Sequence, residues 1–177
     1  MATLSVGGNT VFDGGTLQSA VTFPAGHTLG VTRTEMNFNA SIVGTTYDEL
    51  ESSSGTIWEP SYDMTYSSSK LWVLFNLSLT GIRSSSNNGR GAIKIEQSIA
   101  GGSYSEVFSA IECFGVYDYG GGGIWAGSYL TISLLQSPSS TGIVKYKIWI
   151  KSMDASGHAV YNGDGRVSNV TFIEIAG

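Results

Sequence analysis

The run GIVKYKIWIKS, residues 142–152, places Val144, Tyr146, Ile148 and Ile150 on one parity and Lys145, Lys147, Trp149 and Lys151 on the other. Side chains in a strand repeat direction every two residues and those of a helix every 3.6, so this run fits a half-buried strand and no helix. KLWVLFNLSLTGI, residues 70–82, repeats the pattern, with Leu71, Val73, Phe75, Leu77 and Leu79 opposed to Trp72, Leu74, Asn76, Ser78 and Thr80. No window carries sustained helical periodicity. Further strands are expected near residues 40–48, 54–59, 91–98, 104–116, 128–136 and 168–175, separated by glycine, serine and asparagine clusters. Strands of this length and spacing predict an all-β, two-sheet antiparallel sandwich.

A chain of 177 residues fits one domain with a core of its own, against a prior of roughly 150 residues per domain. Residues 1–27 differ from the rest: the short β-like pieces TLSV and TVF alternate with Gly7-Gly8 and Gly14-Gly15. They read as an N-terminal β arm, with Val6, Val11, Phe12 and Leu17 as its attachment residues, ahead of a head domain at 28–177. Charged residues make up only 13% of the chain, so its surface is built largely of hydroxyls and amides. A net charge of −5 without a basic cluster argues against nucleic acid as a partner. Cys113 stands alone in the apolar stretch SAIECFGV, which fits a small buried side chain and leaves no disulfide framework. MATLSVGGNT lacks the basic and apolar regions of a secretory signal, and the longest apolar run, LWVLFNLSL, falls well below the ~18 residues of a membrane span. No membrane insertion is expected.

Four stretches carry a resemblance: FPAGHTLGV (23–31), SSSKLWVLFNLSL (67–79), SPSSTGIVKYKI (137–148) and the ending SNVTFIEIAG (168–177). From about residue 23 onward the chain resembles a family of small structural proteins of tailed bacteriophages, common in phages of aquatic bacteria. The resemblance implies a jelly roll like the trimeric globular heads of tumour necrosis factor and complement proteins, used on the virion surface after assembly in the bacterial host cytoplasm. In such heads the last strand lies beside the three-fold axis, covered on one side by the core and on the other by neighbouring subunits. Val170 and Phe172 fall on one face of that strand and Ile173 and Ile175 on the other, and the four are expected to form a trimer interface. Glu174, between them, would require a partner if buried.

The same resemblance sets AGGS (100–103) and SPSSTG (137–142) at the base of the head, with both termini. It puts GIRSSSNNGRG (81–91), VYDYGGGGIWAG (116–127) and MDASGHAVYNGDGR (153–166) at the apex. Those segments carry Arg83, Asn87, Asn88, Arg90, Tyr117, Asp118, Tyr119, Trp125, His158, Tyr161, Asp164 and Arg166 as candidate recognition residues. Aromatics and arginines on loops of a rigid scaffold are what recognition surfaces use, and loop packing is the plainer reading of the same residues.

Catalytic signatures are weak. Ser67 to Lys70 matches S-x-x-K without the helix or companion motifs that pattern needs. GGGG at 120–123 lacks the following Lys-Ser/Thr of a phosphate loop. His27 and His158 have no zinc-ligand spacing, Asp154 and Asp164 in the loop fit a tight turn before a calcium site, and nothing pairs Asp48, Glu49, Glu51, Asp118 and Asp164 as glycosidase carboxylates. The expectation is a protein without catalytic residues, cofactor or metal: a homotrimeric surface appendage on capsid or tail, contacting other virion proteins such as capsid or baseplate components. The alternative is a module whose apex loops bind a host receptor or surface glycan.

Overall fold

The computed structural model describes residues 3–6, 9–13, 16–17, 25–36, 40–43, 45–51, 55–82, 89–116, 125–153, 158–161 and 167–177. Three short strands come first: β1 (Thr3–Val6), β2 (Asn9–Asp13) and β3 (Thr16–Leu17). They form an antiparallel meander and, among the described residues, share no sheet with any later strand. The remaining strands are β4 (Thr28–Met36), β5 (Ala40–Val43), β6 (Asp48–Glu49), β7 (Ser61–Asp63), β8 (Lys70–Ile82), β9 (Gly89–Ile99), β10 (Ser105–Val116), β11 (Trp125–Gln136), β12 (Ile143–Ser152), β13 (His158–Tyr161) and β14 (Ser168–Ile175).

These strands build two antiparallel sheets. In one the order is β4-β14-β8-β11, with β13 and β5 continuing the β14 and β4 positions beside the far half of β8. In the other it is β10-β9-β12, closed by β6 and β7 against successive halves of β12. If β6 and β7 count as one interrupted strand and β5 and β13 are set aside, the eight principal strands run 1-8-3-6 and 2-7-4-5. That double Greek key is a jelly roll.

The core lies between the sheets. Leu71, Val73, Phe75, Leu77 and Leu79 of β8 and Val170 and Phe172 of β14 meet Ile93 and Ile95 of β9 and Val144, Tyr146, Ile148 and Ile150 of β12. The Tyr146 ring packs edge-on to Phe75 at 5.5 Å and tilted against Phe172 at 5.9 Å. Burying a phenol this deeply needs partners for its hydroxyl, supplied by Gln97 (2.9 Å) and Gln136, whose amides also bond each other at 2.8 Å. Burial pushes the Tyr146 pKa up, so it stays a neutral phenol.

Alternation correctly locates β8 and β12, and both of their expected inward faces are the core. The expected strand at 40–48 is two separate strands, β5 and β6, and of 54–59 the described residues 55–59 hold a single bridge, Ile57 to Glu51. β4 and β13 fall where no strand was expected. β4 is an edge strand of TLGVTRTEM whose one buried side chain is Met36, so its residues carry almost no core signal. β8 reaches Ile82, β9 starts at Gly89, β10 reaches Val116 and β11 starts at Trp125, which shortens the expected apex loops.

Candidate assembly surface

β14 lies inside its sheet, paired to β4 on one side and β8 on the other, so both backbone edges of the terminal strand are satisfied. Its burial alternates strictly. Ser168, Val170, Phe172 and Glu174 point inward, and Asn169, Thr171, Ile173 and Ile175 outward. This corrects the expected interface, because Val170 and Phe172 are sandwich core and have no surface to offer another subunit. Ile173 and Ile175 remain on the outer face.

Pairing register extends that face across four strands. Val31, Ile173, Trp72 and Leu135 stand side by side on β4, β14, β8 and β11. Val31 and Leu135 are each 62% exposed and Trp72 38%, so an apolar row crosses the sheet in contact with solvent. The next row outward-facing is Arg33, Thr171, Leu74 and Ser133, with Ser133 accepting the Trp72 indole N–H at 2.7 Å. The row after it is Glu35, Asn169, Asn76 and Thr131. There the Thr131 hydroxyl donates to Asn76 Oδ1 at 2.9 Å, and Asn76 Nδ2 to Asn169 Oδ1 at 3.4 Å. Arg33 and Glu35 pair with each other at 2.7 Å on the edge strand. Tyr129, opposite Ser78, extends the face toward the apex and is 60% exposed.

The outer face of the other sheet is chemically opposite. Four of the five lysines, Lys94, Lys145, Lys147 and Lys151, stand on β9 and β12. Lys147 pairs with Glu49 at 2.5 Å, Lys94 with Glu96 at 2.7 Å and Lys145 with Glu59 at 3.3 Å. Aromatic rings lie between them: Lys94 sits 4.7 Å from the Trp149 ring, Lys147 4.9 Å from Tyr104 and Lys151 4.6 Å from Tyr47. The Tyr104 hydroxyl donates to Glu59 at 2.8 Å, and this bond, ahead of the neighbouring lysines, holds the Glu59 carboxyl below its ordinary pKa. Lys94, Lys145 and Lys147 thus find carboxylates within the chain and Lys151 an aromatic ring, which suits a face left in water.

Glu174 closes the base. Fully buried, it accepts hydrogen bonds from the Tyr62 hydroxyl (3.1 Å) and the backbone N–H groups of Thr65 and Tyr66 (both 3.0 Å). Burial alone would raise its pKa, but the hydrogen bonds from Thr65 and Tyr66 outweigh it and hold the carboxyl below the usual range. Desolvation, then the Glu174 charge, pushes the Tyr62 phenol up to about 12. The Tyr62 hydroxyl lies directly over Gly30, the β4 residue opposite Glu174, where any Cβ would overlap it. The residues just before β4 arrive at the same end, with Gly26 N–H donating to Ala176 C=O and Ala176 N–H to His27 C=O, each at 2.8 Å. Ser67–Lys70 is the turn entering β8, closed by Ser69 N–H to Tyr66 C=O at 3.2 Å.

At the opposite end, Ile82 is paired with both Trp125 and His158, Gly89 with Val116, and Gly91 with Ser152. The strand ends flanking the three candidate recognition segments therefore converge. Trp125, His158 and Tyr161 belong to strands, and Arg90, in β9, pairs with Glu112. Arg83, Asn87, Asn88, Tyr117, Asp118, Tyr119, Asp164 and Arg166 lie outside the described residues, as do Asp154 and the GGGG run. Val6, Val11, Phe12 and Leu17 fall on β1, β2, β2 and β3. Cys113 is half-buried against the core, 3.6 Å from the Gly91 carbonyl, and burial raises its pKa. Among the described residues no group of three His, Cys, Asp or Glu side chains is placed to hold a metal, and no helix is long and apolar enough to cross a membrane. Of the outer row the sequence pointed only to Ile173, because Val31 lies on an unexpected strand and register is needed to align it with Leu135.

No protein-family model matches the chain, and no curated protein does. Among solved structures, the infectious bursal disease virus Gx strain is 10% identical with a TM-score of 0.36, covering 99% of this chain and 50% of its own. The VP2 subviral particle of the same virus is 11% identical with a TM-score of 0.41, covering 98% of this chain and 45% of its own. This chain thus spans about half the length of the structures it matches. At these scores the likeness carries nothing about activity or partners.

Proposed function

We propose that the protein is a non-enzymatic structural component of a phage virion, a homotrimeric jelly-roll appendage on the capsid or tail held by its N-terminal arm. The observation that carries this reading is the uncovered row Val31–Ile173–Trp72–Leu135 on a sheet whose opposite number is charged and internally paired. A solvent-exposed apolar row across four strands favours coverage by protein. The bacteriophage-family resemblance of the sequence supplies the three-fold arrangement and the virion. The arm strands β1–β3 supply too few residues for a core of their own, which suits docking on another virion protein.

Light scattering on the full chain tests the assembly: a mass near three times 18.7 kDa is expected, and Trp72→Glu should reduce it to the monomer. A monomeric wild type would overturn the trimer. Electron microscopy of particles lacking the protein tests the location, and unchanged surface density would overturn the virion role. The convergence of strand ends around residues 83–88, 117–124 and 154–157, at the end away from the Gly26–Ala176 contact, favours a second reading in which the apex binds a host glycan. A glycan array comparing wild type with Trp125→Ala separates the two; equal binding would remove Trp125 from that role.

A further inference from the structure

Glu174 ties together two parts of the sandwich. It belongs to the β4-β14-β8-β11 sheet, whereas its donors come from β7 of the other sheet and from residues 64–69, the strap that leads from β7 into β8. Thr65 N–H reaches both carboxylate oxygens, at 3.0 and 3.1 Å, Tyr66 N–H reaches Oε1 at 3.0 Å, and the Tyr62 hydroxyl reaches Oε2 at 3.1 Å. Otherwise the strap is lightly held. Thr65, Ser67 and Ser68 are exposed, Met64 and Ser69 are its buried residues, and β7 ahead of it pairs with β12 only over Ser61–Asp63. β8 by contrast is paired to β11 from Leu71 to Ile82 and to β14 from Lys70 to Asn76, so lifting the strap leaves both ladders in place. Segments with few buried apolar contacts are the ones that open ahead of the whole fold.

We infer that Glu174 is an acid-released bolt: ionised, it holds residues 64–69 across the base of the sandwich, and protonated, it lets them open while both sheets stay formed. Each of these partners is a donor aimed at the carboxylate, so the ionised group satisfies two backbone N–H groups and a phenol at once. Protonation turns one acceptor oxygen into a hydroxyl and removes the charge, and hydrogen bonds to an ionised acceptor are roughly twice as strong as neutral ones. The other titratable or charged groups at this end are Tyr62 and Asp63 on β7, Tyr66 in the strap, Lys70 beside the Leu71 that faces Glu174 in register, and His27 ahead of β4. Asp63, Lys70 and His27 are exposed, and the Tyr62 phenol, pushed up to about 12, stays neutral in acid. The direction follows from linkage. With the strap closed the Glu174 carboxyl lies below its ordinary pKa, and opening returns it to about 4.3, so opening is favoured increasingly as pH falls below that value, by up to about tenfold per pH unit.

Hydrogen–deuterium exchange on the full chain tests this, read by mass spectrometry as protection factors so that the intrinsic pH dependence of exchange is removed. In wild type the Thr65 and Tyr66 amides should be protected at pH 7 and lose protection by up to about tenfold per pH unit below about pH 4.3, while amides of β8 and β12 keep theirs. Glu174→Gln should show weakened strap protection already at pH 7 and no further loss in acid, and Asp63→Asn should follow wild type. Tyr62→Phe removes one donor and keeps the ring, so its acid loss should level off at a higher pH; it carries the test if Glu174→Gln fails to fold. Strap amides that lose protection only together with β8 and β12 overturn the bolt. So does an acid response that survives in Glu174→Gln, disappears in Asp63→Asn, is unchanged in Tyr62→Phe or is complete above about pH 5.

Discussion

Glu174 shows how one buried carboxylate can lock the end of a sandwich. Its folded pKa lies below the unfolded value of about 4.3, so the unfolded chain binds more protons between those two pKa values. Stability from this group is therefore complete above about pH 4.3 and is lost as pH falls through the depressed folded pKa. Urea unfolding at pH 7 and in acid should show that loss in wild type and a flatter response in Glu174→Gln. That variant should be weaker at pH 7 by about 2 kcal/mol, the scale of hydrogen bonds to a buried charge. Gly30 and Tyr62 form a second test. Gly30→Ala should destabilise by about 1–3 kcal/mol, the usual penalty for overpacking. Part of that penalty should vanish in the Tyr62→Phe background, because the clash is with the hydroxyl. Additive effects in that cycle would contradict the contact. The need for a Glu174 partner could be read from its place among apolar neighbours, but the partners themselves come from β7 and the segment after it, 108–112 residues away in the chain.

At the scale of elements, legibility followed burial. Burial alternates along β12 and over Lys70–Leu77 of β8, so their periodicity is written in every second residue there. β14 looked ambiguous because Ile173 and Ile175 face outward and Glu174 inward, the reverse of what hydrophobicity alone suggests. Register decides it: Phe172 lies opposite Val73, which is core, and Ile173 opposite Trp72, which is exposed. Two substitutions in adjacent residues should thus part company. Phe172→Ala should cost about 3–5 kcal/mol by opening a core cavity, measured by urea unfolding. Ile173→Asp should leave the fold, read by circular dichroism, while lowering the mass measured by light scattering. If Ile173→Asp unfolded the head and Phe172→Ala did not, the two faces of β14 would have been exchanged. β4 stayed invisible because an edge strand with a single buried residue carries no alternation to detect.

For the whole molecule, the jelly roll follows from strand order and the two outer faces then divide the work. One is laced with ion pairs and lysine–aromatic contacts, the other with an apolar row and amides. If the second face is covered by other copies, the midpoint of thermal unfolding should rise with protein concentration, because folding and assembly are then linked. Over a hundredfold dilution, a constant midpoint would argue for a head stable as a single subunit. The sandwich class was legible from alternation, whereas the division between faces was not, since aligning residues from four strands requires the pairing register.

The hydrogen bonds joining Gly26 and His27 to Ala176 put the entry to β4 and the exit from β14 side by side. Mechanically, those two points make a poor pair of handles, because pulling them apart peels β4 from β14 one bond at a time. Tension between the arm and the far end instead runs along the strands and loads the whole β4–β14 ladder in shear at once. A head tethered by its N-terminal side and tugged at its tip would thus resist far more force than the same head pulled by its two ends.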